Sequence, residues 1–435
     1  MDKENEMIIN TLNNNLNKLL QFSEEKQNHK LNKSIEPYKK YSKNSKSKFK
    51  AHILSIKHKF NLFNISNEKI TIFSKTYTQD IIDKLIYSIG KIIYLSYKKN
   101  FPKIKNEKKN KSYTNDSGWG CMIRCGQMIL SRAIYKYYKK LKFDSFEALV
   151  QTSKYFLDTP ISFDEFPEEF FHMISFFLKN NDINKIESEK LKGTFSPFSL
   201  KSICLNGILC NKGAGEWFSD VNMCYLFNLI SENYSLFPNL KILSFQSCVI
   251  KETIIKNCFS KEKSINENEF IDFDNEKYYF KNMGIVFISV RLGITNISLD
   301  YHDSIRKYFL CKESIGILGG IKDLAYYFIG YKDDGELLYL DPHSTKECCS
   351  YINEIDFNDK YLSKNIKSLS INKMTTALSF GFIFRDYLEF CDMFKFFSVY
   401  MKDFNYPLFG ISEKNIENFN AEKLENEINM EIDDF

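Results

Sequence analysis

"DSGWGCMIRCGQMIL", Asp116 to Leu130, is the stretch on which the reading of this chain turns. Gly118 and Gly120 flank Trp119, Cys121 follows at once, and Cys125 lies four residues further on. The small residues let the backbone turn. Beyond them Met122, Ile129, Ala133, Ile134, Tyr137 and Leu141 supply the apolar positions of one helix. This pattern predicts a helix that opens near Cys121 and closes on "YKKLK", whose lysines suit a helix C-terminus. A thiol on a first helical turn meets unpaired backbone N–H groups, which can bring its pKa from about 8.5 to roughly 3.5–7.5. Cys121 is therefore a candidate nucleophile, with a small buried core residue as the alternative. Cys125, one turn deeper, is expected to face the core. A metal site is not expected: Cys348 and Cys349 are adjacent, and the chain has no C-x2-C pair.

A thiol nucleophile needs a base, usually histidine. The chain has six. His29, His52 and His58 lie in a basic N-terminal region, His172 in the apolar "EEFFHMISFF", and His302 in a polar stretch. His343 stands in "YLDPHS", two residues after Asp341. On extended backbone residues i and i+2 point to the same side, so Asp341 could orient the His343 ring while its other nitrogen meets a thiol. Pro342 cannot donate to a ladder, which puts the segment at a strand end or edge. A plain turn after a strand would explain "DPH" equally well.

The chain has 435 residues, 43% of them hydrophobic, and a net charge of +5, so most of it should fold and no strong polyelectrolyte partner is implied. No nucleic acid is expected to bind, because the N-terminal lysines lack interleaved aromatics. No apolar run is long enough to span a bilayer, and the N-terminus has no signal-peptide core. Together with eleven cysteines, an odd number, this points to free thiols in a reducing, cytoplasmic setting.

Residues 1–52 form an Asn- and Lys-rich extension expected to be disordered, 53–410 a folded body, and 411–435 an acidic tail. The lysines of 103–111 read as solvated loop, and 260–277 as an exposed insertion. Thr78 can cap a helix from Gln79 with Ile82, Leu85, Ile86, Ile89 and Ile93 on one face. Strands are predicted at 284–290, 325–331, 336–343 and 379–384, with "DDG" at 333–335 as a hairpin turn, and a last helix from Asp386 to about Lys402. Helices first and strands later give an α+β fold with a mostly antiparallel sheet.

Several of these pieces together resemble one family, the autophagins, which are autophagy-related cysteine peptidases of papain-like fold. They are "YKKNFP" from Tyr97, "DSGWGCMIRCGQMIL", "SPFSL" and "GAGEWF" between Ser196 and Phe218, "RLGITNI" from Arg291, "ESIGILGG" from Glu313, "YYFIGY", and "YLDPHST". The likeness covers roughly residues 53–410. It implies Cys121 as nucleophile, His343 as base and Asp341 as its orienter, with a helical part carrying the nucleophile packed on the sheet. It implies Tyr97 as an oxyanion donor, where the residues alone suggest one more aromatic on a buried helix end. It also implies Trp217 as a cover over the thiol, where core packing is the plain reading, and Arg291 as a substrate-binding residue. No cofactor is implied. The expected partner is a ubiquitin-like autophagy modifier, as precursor and as its phosphatidylethanolamine conjugate, met transiently at a membrane surface by a monomeric enzyme. Two positions depart from the family pattern: Lys322 stands where a proline is usual in the loop after "ILGG", and Ser219-Asp220 where Gly-Pro usually follows the tryptophan.

Overall fold

Unbroken apolar runs such as "GIVFISV" and "SFGFIF" form strands because both faces of their sheet are covered. The computed structural model of the chain describes residues 69–78, 84–85, 88, 91–158, 196–233, 236–263, 269–348, 366–400 and 406–414. The N-terminal extension, His29, His52, His58, His172 and Cys349 lie outside the described residues, as does most of the helix expected from Gln79. Of that helix Lys84, Leu85 and Ser88 are described, and all three are helical.

The chain opens with β1 (Ile70–Ile72) and β2 (Lys75–Tyr77), then the hairpin β3 (Lys98–Asn106) and β4 (Lys111–Asn115). Helices α1 (Cys121–Lys140), α2 (Ser145–Ser153), α3 (Leu200–Asn206) and α4 (Asp220–Asn233) follow. After β5 (Leu240–Gln246) and β6 (Cys248–Ile250) come α5 (Lys251–Cys258) and the short strands β7 (Phe259–Ser260), β8 (Phe270–Phe273) and β9 (Glu276–Phe280). The remainder is β10 (Met283–Arg291), α6 (Asp300–Tyr308), β11 (Ser314–Ile321), β12 (Leu324–Lys332), β13 (Leu337–Leu340), β14 (Lys346–Glu347), β15 (Lys367–Leu369), β16 (Ala377–Phe384), α7 (Tyr387–Lys395) and β17 (Gly410–Ser412).

The main sheet runs β15-β13-β12-β11-β16-β10-β5, with β1 paired to β12 and β2 to β1. Every pair in it is antiparallel except β5 with β10. On β16, Phe380, Phe382 and Phe384 enter a core shared with α5, α6 and α7, whereas Gly381 on the other face lies against Ile129 of α1. On β10, Val286 and Ile288 join the first side, and Phe287 meets Phe227 of α4 on the second. Helices on both faces remove the usual polar alternation of an antiparallel sheet. This is the α+β, papain-like arrangement, with the helix that begins at Cys121 packed across β11 and β12.

Four local expectations change. The lysine-rich segment is a hairpin rather than a loop: Phe101, Ile104 and Asn106 point inward while Lys103 and Lys105 take the water side. Its lysines disguise a strand because lysine ranks low in strand propensity. Tyr97 accordingly precedes a strand and does not end a helix. The described residues of the insertion belong to the three-stranded sheet β7-β9-β8, in which Ile271 and Phe273 pack against the core and Phe259 meets Phe390 at 4.9 Å. Finally, β17 pairs in parallel with β6, so sheet pairing runs across position 410. The last helix is capped by Asp386, whose side chain accepts the Glu389 N–H, and it continues after Lys395 as one π turn, Phe396–Tyr400. No helix of the described residues is long and apolar enough to cross a membrane.

Candidate active site

The turn into α1 is built around one buried carboxylate. Asp116 accepts the Lys98 N–H at 2.5 Å and the Arg124 Nε–H at 2.6 Å, while its backbone oxygen accepts from the Trp119 and Gly120 amides. A Cβ at residue 120 would stand 2.8 Å from the Asp116 side chain, and Gly118 has φ +85°, so both glycines are required by this turn. Arg124, wholly buried, also donates to Gln127 and, at 2.6 Å, to Asp158, which in turn accepts the Leu200 N–H. Burial pushes the Asp116 carboxyl up, and Arg124 pulls against that rise. Removing one side of such a buried pair typically costs about 3–5 kcal/mol. The network thereby fixes where the helix starts.

Cys121 occupies the first residue of α1 and is 7% exposed. It lines an open cleft with Trp119, Trp217, Gly319, Leu324 and Ala325. Burial disfavours its thiolate, but the His343 ring, the Ala325 backbone amide and the Tyr97 hydroxyl outweigh that and lower its pKa. Cys125 is fully buried, and burial together with the Cys121 charge raises its pKa well above the ordinary range.

His343 comes from the segment that leaves β13. That strand ends at Leu340, and Pro342 follows where no ladder donor is needed. The Pro342 oxygen instead accepts the Tyr97 N–H at 3.0 Å, and the Tyr97 oxygen accepts the Lys346 N–H at 2.9 Å. These two bonds, with β14 parallel to β3, bind the histidine segment to the strand that begins beside Tyr97. Asp341 Oδ1 accepts both the His343 backbone N–H at 3.0 Å and ring Nδ1–H at 2.6 Å. The ring lies edge-on between Tyr97 and Tyr326, with centroid distances of 5.4 and 5.6 Å. Its Nε2 is buried with no hydrogen-bond partner, and the nearby Cys121 thiol favours the charged form of the ring. That looseness is common in substrate-free sites. Burial disfavours the imidazolium, yet Asp341 and Cys121 raise its pKa to about 9. The Asp341 carboxyl, against the effect of burial, is held well below the usual range by His343 and Lys367.

Cys121, His343, Asp341 and Tyr97 are thus brought together. Trp217 is not a core residue: it is 49% exposed, lines the cleft, and its Nε1–H donates to the Gly118 oxygen at 2.7 Å. Arg291 does not line the cleft. It pairs with Ala377, which does, and its guanidinium donates to the Gly293 and Ile294 oxygens. Ser219 caps α4 in mutual hydrogen bonds with Asn222, which gives this departure from the family pattern a local reason. His302 is half-buried on α6, its pKa lowered by burial and by Arg306. Sequence reasoning missed Tyr326, Ala325 and Lys367. Among the described residues no group of His, Cys, Asp and Glu is arranged to hold a metal ion.

A family model described as the peptidase C54 catalytic domain matches residues 82–396. The chain is 25% identical over 348 residues to the cysteine protease ATG4D of Xenopus laevis, covering 74% of this chain and 70% of that protein. It is 25% identical over 352 residues to ATG4C of the same species, covering 75% and 73%. Against ATG4B of Gallus gallus it is 24% identical over 279 residues, covering 61% and 62%. With a thiol at a helix start, an imidazole beside it and a family model spanning most of the folded body, the chain belongs to the peptidase C54 family, the autophagins, and is a cysteine peptidase.

Proposed function

We propose that this peptidase cleaves a ubiquitin-like autophagy modifier after its C-terminal glycine, both to process the precursor and to release the modifier from phosphatidylethanolamine. The observation that carries the reading is Trp217, half-exposed over the cleft that holds Cys121 and hydrogen-bonded to Gly118 beside it. In this reading the Cys121 thiolate attacks the glycyl carbonyl and a C–S bond forms. The oxyanion is met by the Cys121 N–H and the Tyr97 hydroxyl, donors of a kind worth about 10²–10³ in rate. The His343 imidazolium then gives its proton to the leaving amine as the C–N bond breaks. Water, deprotonated by His343, hydrolyses the thioester and returns the thiolate. Asp341 orients the ring and sustains its charge. Arg291 acts on the substrate side by bracing the loop that carries Ile294, which is 85% exposed. The enzyme works as a cytoplasmic monomer that meets membrane surfaces transiently, where its conjugated substrate lies. The test is to incubate the protein with a modifier precursor and read the cleaved bond by mass spectrometry. Cleavage anywhere but after the C-terminal glycine would sink the reading.

Trp217 would also set specificity. A ring over the thiol leaves a slot that backbone without a Cβ can enter, and glycine threads it without strain. Trp217→Ala is expected to cut the preference for Gly over Ala at the scissile position about tenfold or more, the order of size one methyl contact supports. The check is kcat/KM on paired Gly and Ala substrates. An unchanged ratio would place the gate elsewhere in the cleft.

The pH profile follows from the thiolate–imidazolium pair. Activity should rise as pH climbs through the lowered thiol pKa, and fall as pH passes about 9, where His343 loses its proton. A profile of kcat/KM that peaks below pH 5 or climbs steadily to pH 11 would contradict this charge state.

A further inference from the structure

The Asp341 carboxylate has a second partner that the triad does not require. Its Oδ2 accepts from the Lys367 Nζ at 2.7 Å, while Oδ1 serves His343. Lys367 is the first residue of β15, at the sheet edge, where it pairs with Tyr339 two residues before Asp341. The Tyr94 hydroxyl donates to the Asp341 backbone oxygen at 2.6 Å, so the residue is held from three sides.

We propose that Lys367 is a positioning residue that sets the strength with which Asp341 holds the imidazolium. The inference rests on the proposed roles of Cys121, His343 and Asp341. Two consequences come from the geometry. First, with both oxygens occupied the carboxylate plane is fixed, and His343 Nδ1 meets one defined acceptor. Second, the ammonium shares the carboxylate charge. An Asp341 paired with Lys367 stabilises the imidazolium less than a free one would, so the ring stays a usable acid toward the leaving amine. Lys367 does not line the cleft, so it acts through Asp341 and has no reach to substrate there.

The other groups facing the pair leave this effect readable. Tyr94, Tyr97, Tyr326 and Tyr339 surround Asp341 and His343, and burial raises the pKa of each. Cys125 behind the thiol is raised in the same way, and Asp116 is engaged by Arg124. The alkaline limb near pH 9 therefore reports His343.

The experiment measures kcat and KM on a modifier precursor across pH 5–11 for wild type, Lys367→Met and Lys367→Arg, with the rate of Cys121 alkylation as a readout independent of substrate. Methionine keeps the aliphatic stem and removes the charge. Lys367→Met should move the alkaline limb up by roughly half a pH unit, the size of a unit charge acting through a solvated contact. It should also lower kcat about threefold to tenfold and leave KM unchanged. Lys367→Arg should restore both. An alkaline limb unmoved in Lys367→Met overturns the proposal, whatever happens to kcat, and so does an equal shift in Lys367→Arg. Lys367 has a side chain 55% exposed at an edge strand, so folding should survive. If Lys367→Met does not fold, Lys367→Gln gives the same comparison. Failure of the underlying reading looks different: wild type itself would show no His343-dependent limb in alkylation.

Discussion

Cys121→Ser is expected to remove cleavage of a modifier precursor, to on the order of 10⁻⁴ of the wild-type kcat or below. The side chains differ by one atom, so modifier should still bind. The chemistry differs because the proposed mechanism needs a charged nucleophile at this site. Its helix start, the Ala325 amide, the Tyr97 hydroxyl and the His343 ring all favour a thiolate. A serine hydroxyl is too weak an acid to ionise against an imidazole whose own pKa is about 9. Cys125→Ser separates location from residue type. It lies four residues on, fully buried, and burial holds its thiol neutral. Serine there adds a buried hydroxyl, costing about 1–3 kcal/mol if it finds no partner. Turnover per folded molecule should persist. The two variants are compared by cleavage rate, by alkylation stoichiometry and by thermal unfolding. Wild-type cleavage by Cys121→Ser would remove Cys121 from the centre of the mechanism.

What could be read in the sequence was local. The start of α1 at Cys121 follows from Gly118 and Gly120. One of them takes a positive φ, and the other leaves room for the Asp116 side chain. The Asp341–His343 pairing was expected from i, i+2 spacing on extended chain. The structure records it at 2.6 Å, but in an Asx turn in which Asp341 Oδ1 also accepts the His343 backbone N–H, so the turn after the strand and the pairing are one feature. The strands around "GIVFISV" and "SFGFIF" follow from apolar runs long enough for both faces to be buried. What escaped depends on pairing across long separations. Lys367 meets Asp341 only because β15 lies beside β13, and no pattern within "NIKSLS" announces that. Tyr326 reaches His343 from the neighbouring strand, and its own segment shows only that it is apolar. Arg124 drew no reading from the sequence, because its burial depends on Asp116 and Asp158 closing around it. The β3–β4 hairpin was hidden because lysines fill its exposed positions and because a register shift between Lys99 and Ile104 breaks the two-residue alternation, which holds only over Lys103 to Asn106.

Asp341→Asn is expected to lower kcat by about 10³–10⁴-fold while the fold survives, the scale seen when a triad carboxylate becomes an amide. Two orientations of the new side chain are open, and both fail. If the amide oxygen takes the place of Oδ1, it still accepts the His343 backbone N–H and ring Nδ1–H. The correct tautomer is kept, but the NH2 then faces the Lys367 ammonium, donor against donor, across a contact that is 2.7 Å in the native protein. If the amide turns over, its oxygen satisfies Lys367, while its NH2 confronts the backbone N–H and drives the ring to the tautomer protonated on Nε2. That tautomer cannot take a proton from the thiol. In either orientation the negative charge is gone. The imidazolium loses the hydrogen bond to a charged acceptor that raises its pKa to about 9, so the thiolate loses its counter-charge as well. The expected signature is a fall in kcat with little change in KM, an alkaline limb moved to lower pH, and Cys121 alkylation that now requires higher pH. Backbone geometry should hold, because Tyr94 still donates to the residue 341 oxygen and Tyr97 to the Pro342 oxygen. Near-native kcat in a folded Asp341→Asn protein would mean that His343 is oriented by its tyrosine neighbours alone, and that the carboxylate serves the strand end and not the thiol.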